Sequence, residues 1–141
     1  MLLDDFTSFR PFVPAFESQL LFYFAVFPNI NAEYIDNTFI NNKYESNAMN
    51  GGSGINVFDP YYTQNAIIKG NYIEGSLWGI TVIGCNNVNI GKTNDPNAED
   101  YNPGNNVFKD NGNGGVLYDL YNNSSNLISA QGNTWNVDEQ T

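Results

Sequence analysis

Five basic side chains and fifteen carboxylates are the ionisable material from which any chemistry must be built, and the chain has no histidine. Without His there is no Ser-His-Asp or Cys-His relay within the chain, and no His-bound zinc. A lyase that lifts a proton beside a neutralised sugar carboxylate needs Arg or Lys as its base, next to acidic groups that hold a metal. Arg10, Lys43, Lys69, Lys92 and Lys109 are the only bases. Lys69 and Lys109 flank Asn-rich turns, where they could project outward near Glu74 and Asp110. Exposed charge on a turn is the plainer account of both. A hydrolase instead needs two carboxylates about 5–9.5 Å apart, one of them protonated. Asp119, expected on the outer side of a strand, is the most isolated candidate, but no Asp-Asp pair on a strand supports it.

Two further groups have side chains suited to ligands. The loop Asn94-Asp95-Pro96-Asn97-Ala98-Glu99-Asp100-Tyr101-Asn102 is rich in oxygen donors. Calcium takes six to eight of them, so Asp95, Glu99 and Asp100 are candidate ligands and calcium the one cofactor they suggest. Their spacing does not follow an EF-hand, and a solvated acidic loop explains them as well. The aromatic residues are the better clue. Tyr61 and Tyr62 follow Asp59-Pro60, Trp78 precedes a Gly-aliphatic run, and Tyr101 sits in the acidic loop. Flat rings stack on sugar faces while neighbouring Asn and Asp, Asp119 among them, bond the hydroxyls. Packing under loops is the competing reading. Cys85, the single cysteine, cannot form an internal disulfide and reads as a small half-buried hydrophobe.

The net charge of −10 repels phosphate backbones, so nucleic acid is not an expected partner. The start, Met1-Leu2-Leu3-Asp4-Asp5, lacks the basic region of a signal peptide. The apolar run from Leu20 to Phe27 has eight residues, well short of the roughly 20 that span a bilayer.

The elements that must position these side chains emerge from texture. Of ten Phe, seven fall before residue 28, whereas all 25 Asn and all 13 Gly lie in the remainder. Residues 1–28 read as a cap or irregular segment, because Pro11 and Pro14 interrupt the helical spacing of Phe9, Phe12 and Phe16. Residues 29–141 carry a degenerate repeat. An Asn-x-apolar motif recurs at Asn37, Asn71, Asn106 and Asn133, spaced 34, 35 and 27 residues apart. A short strand precedes each: Glu33-Tyr34-Ile35, Ala66-Ile67-Ile68, Asn87-Val88-Asn89-Ile90 and Leu127-Ile128-Ser129-Ala130. A Gly-aliphatic strand follows the first three: Gly54-Ile55-Asn56-Val57, Gly79-Ile80-Thr81-Val82 and Gly115-Val116-Leu117-Tyr118.

A period of this length signals stacked repeats, each burying its apolar side chains only against its neighbours. Parity puts Ile55/Val57, Ile80/Val82 and Val116/Tyr118 inward, in rows spaced by about 4.8 Å. Asn56/Phe58, Thr81/Ile83 and Leu117/Asp119 should then face outward. The four turn Asn should align as a ladder, since each amide offers donors and acceptors to the next rung.

Residues 32–137 resemble the parallel β-helix repeat family, the pectate-lyase-like group. The resemblance is carried by Asn71-Tyr72-Ile73-Glu74-Gly75 with Gly79-Ile80-Thr81-Val82, and by the ending Ile128-Ser129-Ala130-Gln131-Gly132-Asn133-Thr134-Trp135. That ending is similar to the last coil of many exported bacterial proteins of this type. The resemblance implies an all-β, right-handed parallel solenoid of about four coils and an extracellular or cell-surface setting. It also implies that the chain is a piece of a longer solenoid whose open ends would favour self-association. The family includes lyases, glycoside hydrolases and adhesins, and fold alone does not choose among them. The leading expectation is a non-catalytic surface or secreted module contacting polysaccharide. The alternatives are a fragment of a polysaccharide lyase or glycoside hydrolase, and a structural coil set of an adhesin.

Overall fold

The structure, a computed structural model, describes residues 31–59 and 65–136. The Phe-rich segment at 1–28 and the Tyr61-Tyr62 pair lie outside the described residues. What is described is all-β, with one turn of 3-10 helix at Ala48–Asn50. No helix among the described residues is long and apolar enough to cross a membrane.

Three parallel sheets hold all but two of the strands. Sheet A orders β1 (Asn31–Ile35), β4 (Asn65–Lys69), β7 (Asn87–Gly91) and β12 (Ser129–Ala130). Sheet B orders β2 (Thr38–Ile40), β5 (Tyr72–Glu74) and β8 (Val107–Lys109). Sheet C orders β3 (Ser53–Phe58), β6 (Trp78–Ile83) and β11 (Leu120–Asn123). The chain visits A, B and C in that order three times. It then returns to A with β12, after which Thr134 bridges in parallel to Val107 at the edge of sheet B.

Strand register stacks like on like. Ile55, Ile80 and Leu120 are partners across sheet C, and Val57 pairs with Val82. Phe39, Ile73 and Phe108 are partners across sheet B. Ala32, Ala66 and Val88 do the same in sheet A, where Tyr34 lies beside Ile68. Trp135 closes one row by stacking on Phe108, with ring centroids 4.5 Å apart and planes 4° from parallel. These side chains form one core, to which each fully buried Ile or Val contributes roughly 1.5–3 kcal/mol.

The corner between sheets A and B explains the Asn motif. The residue before each ladder Asn is left-handed: Asp36 (φ 55°), Gly70 (69°), Asn105 (57°) and Gly132 (72°). Only Gly, Asn and Asp adopt that conformation readily, and those are the types found. The corner after sheet B repeats the device with Asn41 (59°), Gly75 (66°) and Asp110 (52°).

The glycines that open β3 and β6 have a steric reason. A Cβ on Gly54 would stand 2.5 Å from Ile73 Cγ2, and one on Gly79 would meet the Asp119 carbonyl and lie 3.0 Å from the Phe108 ring.

The third Gly-aliphatic run departs from expectation. Gly115-Val116-Leu117-Tyr118 does not join sheet C. β10 (Val116–Leu117) pairs antiparallel with β9 (Gly112–Asn113) in a hairpin, and Val116 and Leu117 are 52% and 44% exposed. Between them Gly114 (φ 59°) and Gly115 (φ 81°) are both left-handed, the backbone that a tight two-residue hairpin loop demands. A Cβ on Gly115 would meet nothing within 4 Å, unlike one on Gly54 or Gly79. Leu120, from β11, fills the row expected of Val116. Two residues expected to face outward are buried instead, Asp119 (4% exposed) and Thr81 (6%).

Candidate functional site

The Asn ladder is continuous. The backbone N–H groups of Asn37, Asn71 and Asn106 donate to Oδ1 of Asn71, Asn106 and Asn133 respectively, each at 3.0 Å. The Nδ2 groups run in the same direction at 3.2, 2.9 and 2.8 Å. The remaining N–H bonds satisfy strand-end carbonyls, as where Asn106 Nδ2 reaches Ile68 O and Ile90 O. Asn71 and Asn106 are buried, so these amides pair backbone groups that would otherwise be orphaned.

Between the B and C corners lies a cleft of about 510 Å³, within the size range of small-ligand sites. One wall is the turn Ser46–Met49. The floor is Leu77 and Trp78, and the other wall is Asn113, Gly114 and Tyr118 from the hairpin and the segment after it. The turn is held by Asn47, whose Oδ1 accepts from Met49 N–H at 3.1 Å. Gly52 lets Leu77 approach, since a Cβ there would sit 2.6 Å from Leu77 Cδ1. Trp78 Nε1 donates to Ala48 O at 2.7 Å and ties the floor to the first wall. Asn113 Nδ2 donates to Leu77 O at 3.0 Å and ties it to the second. The Trp78 ring packs at a tilt against Tyr118 and Tyr121, centroids 4.6 and 5.0 Å away. Trp78 itself is largely covered, while Met49 at the rim is 78% exposed.

The other residues singled out in the sequence are dispersed. Tyr101 is exposed in the loop after β7, away from the cleft lining. Asp119 accepts from Asn136 N–H at 2.7 Å and from Asn111 Nδ2 at 3.3 Å; it holds backbone and presents no free carboxylate outward. Asp95 accepts from Asn97 N–H within its own turn at 2.9 Å, and Asp100 pairs with Lys92, whose hydrogen bond holds its carboxyl below the usual range. Among the described residues no three Cys, Asp or Glu converge on a metal position.

Lys109 does meet Glu74, at 2.7 Å, and Tyr72 Oη donates to the other Glu74 oxygen at 2.8 Å. The Lys109 bond, then the Tyr72 bond, lower the Glu74 carboxyl. Glu74 in turn raises both Lys109 and the Tyr72 phenol. Asp110, whose charge adds to the rise of Lys109, is a left-handed corner residue. Cys85 is buried, and burial, then the charge of Asp59, push its thiol up to about 11.

Two rows escaped the sequence reading. Ser76 and Asn111 stack at the corner before sheet C: Ser76 N–H donates to Asn111 Oδ1 at 3.1 Å, and Asn111 Nδ2 to Ile73 O at 2.9 Å. An outer ladder opens sheet A, with Asn65 Nδ2 donating to Asn31 Oδ1 and Asn87 Nδ2 to Asn65 Oδ1, both at 2.8 Å. An Asn at the start of each of those strands was the available signal. No protein-family model, curated protein or solved structure matches this chain.

Proposed function

We propose that the chain is a set of right-handed parallel β-helix coils that serves as a non-catalytic, secreted or surface module contacting polysaccharide. The repeated A, B, C order of parallel strands and the Asn ladder at one corner support the coil reading. Parallel crossovers are right-handed in the great majority of sheets. The secreted or surface setting rests on the family resemblance.

The observation that carries the binding reading is the cleft at Trp78 and Tyr118, where aromatic rings meet side-chain amides between two turns. Rings supply flat apolar contact, and amides supply hydroxyl-matching donors and acceptors.

Titration of tryptophan fluorescence against an oligosaccharide panel tests the reading. Saturable binding is expected, weakened about tenfold or more by Tyr118→Ala, with no unsaturated or reducing sugar released. Release of either product by the purified chain, or no binding across the panel, refutes it.

A further inference from the structure

We infer, on the reading that the cleft holds a glycan, that its ligand is an uncharged sugar and not a uronate. Among the described residues the lining is Ser46, Asn47, Ala48, Met49, Leu77, Trp78, Asn113, Gly114 and Tyr118, with no charged side chain among them. A carboxylate is hydrogen-bonded to the lining. Glu45 accepts from Asn47 N–H at 3.0 Å and from Ser46 Oγ at 3.4 Å, so the rim beside the first wall carries negative charge. Two of the described lysines are engaged elsewhere, Lys92 with Asp100 and Lys109 with Glu74. A sugar carboxylate entering the cleft would shed water with no cation among the described lining residues to pair with, which is costly, and the net charge of −10 opposes its approach.

A neutral hydroxyl meets the opposite situation. Asn47 uses its Oδ1 on Met49 N–H, and its amide N–H groups remain to donate. Asn113 uses Nδ2 on Leu77 O, and its Oδ1 remains to accept. A hydroxyl both donates and accepts, so one wall can bond each sense while Tyr118 and the rim of Met49 cover the ring face.

The experiment titrates the full chain with length-matched neutral oligosaccharides (gluco-, galacto-, manno- and xylo-) and with oligogalacturonate and oligomannuronate, at low and high salt. Neutral binding tighter than uronate binding by about tenfold or more, persisting at high salt, is the expected result. Salt screens the distant charge but not the cost of burying an unpaired carboxylate. Met49→Lys, at the exposed rim, should narrow the gap by raising uronate affinity. Uronates binding as tightly as neutral sugars, or a preference that vanishes at high salt, overturns the inference and leaves the glycan reading in place. Binding of neither class overturns both.

Discussion

Asn106 Oδ1 receives two hydrogen bonds from Asn71, from its backbone N–H at 3.0 Å and from its Nδ2 at 2.9 Å. The receiving residue is wholly buried and passes its own N–H bonds to Ile68 O, Ile90 O and Asn133 Oδ1. The ladder is therefore directional: each rung donates toward the C-terminal one and braces strand-end carbonyls on the way.

Asn106→Ala should cost roughly 3 kcal/mol or more, because it leaves several buried backbone groups without partners. Asn106→Asp should cost more at neutral pH, since a carboxylate cannot donate to Ile68 O or Ile90 O. A buried acid whose second oxygen faces the Ile68 and Ile90 carbonyls has its folded-state pKa raised above the unfolded value of about 3.9. The folded state then holds the extra proton, so the Asp variant should lose stability as pH rises from the unfolded pKa through the folded one. Urea unfolding of both variants at pH 4 and pH 7.5 checks the sign; an Asp variant that gains stability over that interval would contradict it.

The two leucines on either side of Tyr118 should behave differently. Leu120 partners Ile80 in sheet C and packs on the core, whereas Leu117 is 44% exposed on the hairpin. Leu120→Ala should cost about 2 kcal/mol, and Leu117→Ala under about 0.5 kcal/mol. The reverse order in thermal or urea melts would mean that Leu117, and not Leu120, packs on the core.

That exchange shows where the sequence was legible. Asn37, Asn71, Asn106 and Asn133 could be aligned because each follows a residue type suited to a left-handed corner, a constraint local to two positions. Gly115 resembled Gly54 and Gly79 on spacing alone. Its neighbour Gly114 was the local sign of a hairpin, since two successive left-handed glycines close a turn rather than open a strand. Asp119 looked like an outward carboxylate because its parity was counted from the wrong strand. The cleft was the least legible feature. Its walls come from Ser46–Met49 and from Asn113, Gly114 and Tyr118, segments far apart in sequence with no periodic pattern, and only the stacking of the parallel strands brings them to Trp78.

Gly79→Ala should be among the most disruptive small substitutions. The added methyl would press on the Asp119 carbonyl and the Phe108 ring, neither of which can swing aside, at a cost of about 1–3 kcal/mol. Gly51→Ala meets nothing within 4 Å, so its cost, about 1–3 kcal/mol, should come from backbone strain alone, at φ 157° and ψ −153°. A Gly79→Ala variant that melts at the temperature of the parent chain would argue against the close approach of β6 to the Asp119 backbone.

The Tyr72–Glu74–Lys109 group should titrate as a unit. Glu74, depressed first by Lys109 and then by Tyr72, adds stability that is present above its unfolded pKa and lost as pH falls through the folded one. Lys109, raised first by its bond to Glu74, adds stability present below its unfolded pKa and lost as pH rises through the folded one. Exposure to solvent keeps both contributions small, so the readout is site-specific. In Lys109→Met, the Glu74 carboxyl followed by NMR should move up toward the ordinary carboxylate value, and Tyr72→Phe should move it in the same direction by less. No movement in Lys109→Met would show that the ion pair does not persist in solution.

Cys85 should be nearly inert in the folded chain. Its Sγ lies 3.5 Å from Val57 O and 3.6 Å from Ile83 O, only 1% of the residue is exposed, and its thiol is raised from 9.0 to about 11. Thiolate is the reactive form, so at pH 8 the shift alone should slow reaction with a disulfide reagent by about a hundredfold. Burial should slow it further, until the rate follows local opening rather than ionisation. The native rate should therefore vary with urea well before the global transition, whereas the unfolded chain reacts at the speed of a free thiol. A native rate that follows pH with the midpoint of an ordinary cysteine would place the sulfur at the surface, and with it the strand ends of β3 and β6 that it packs between.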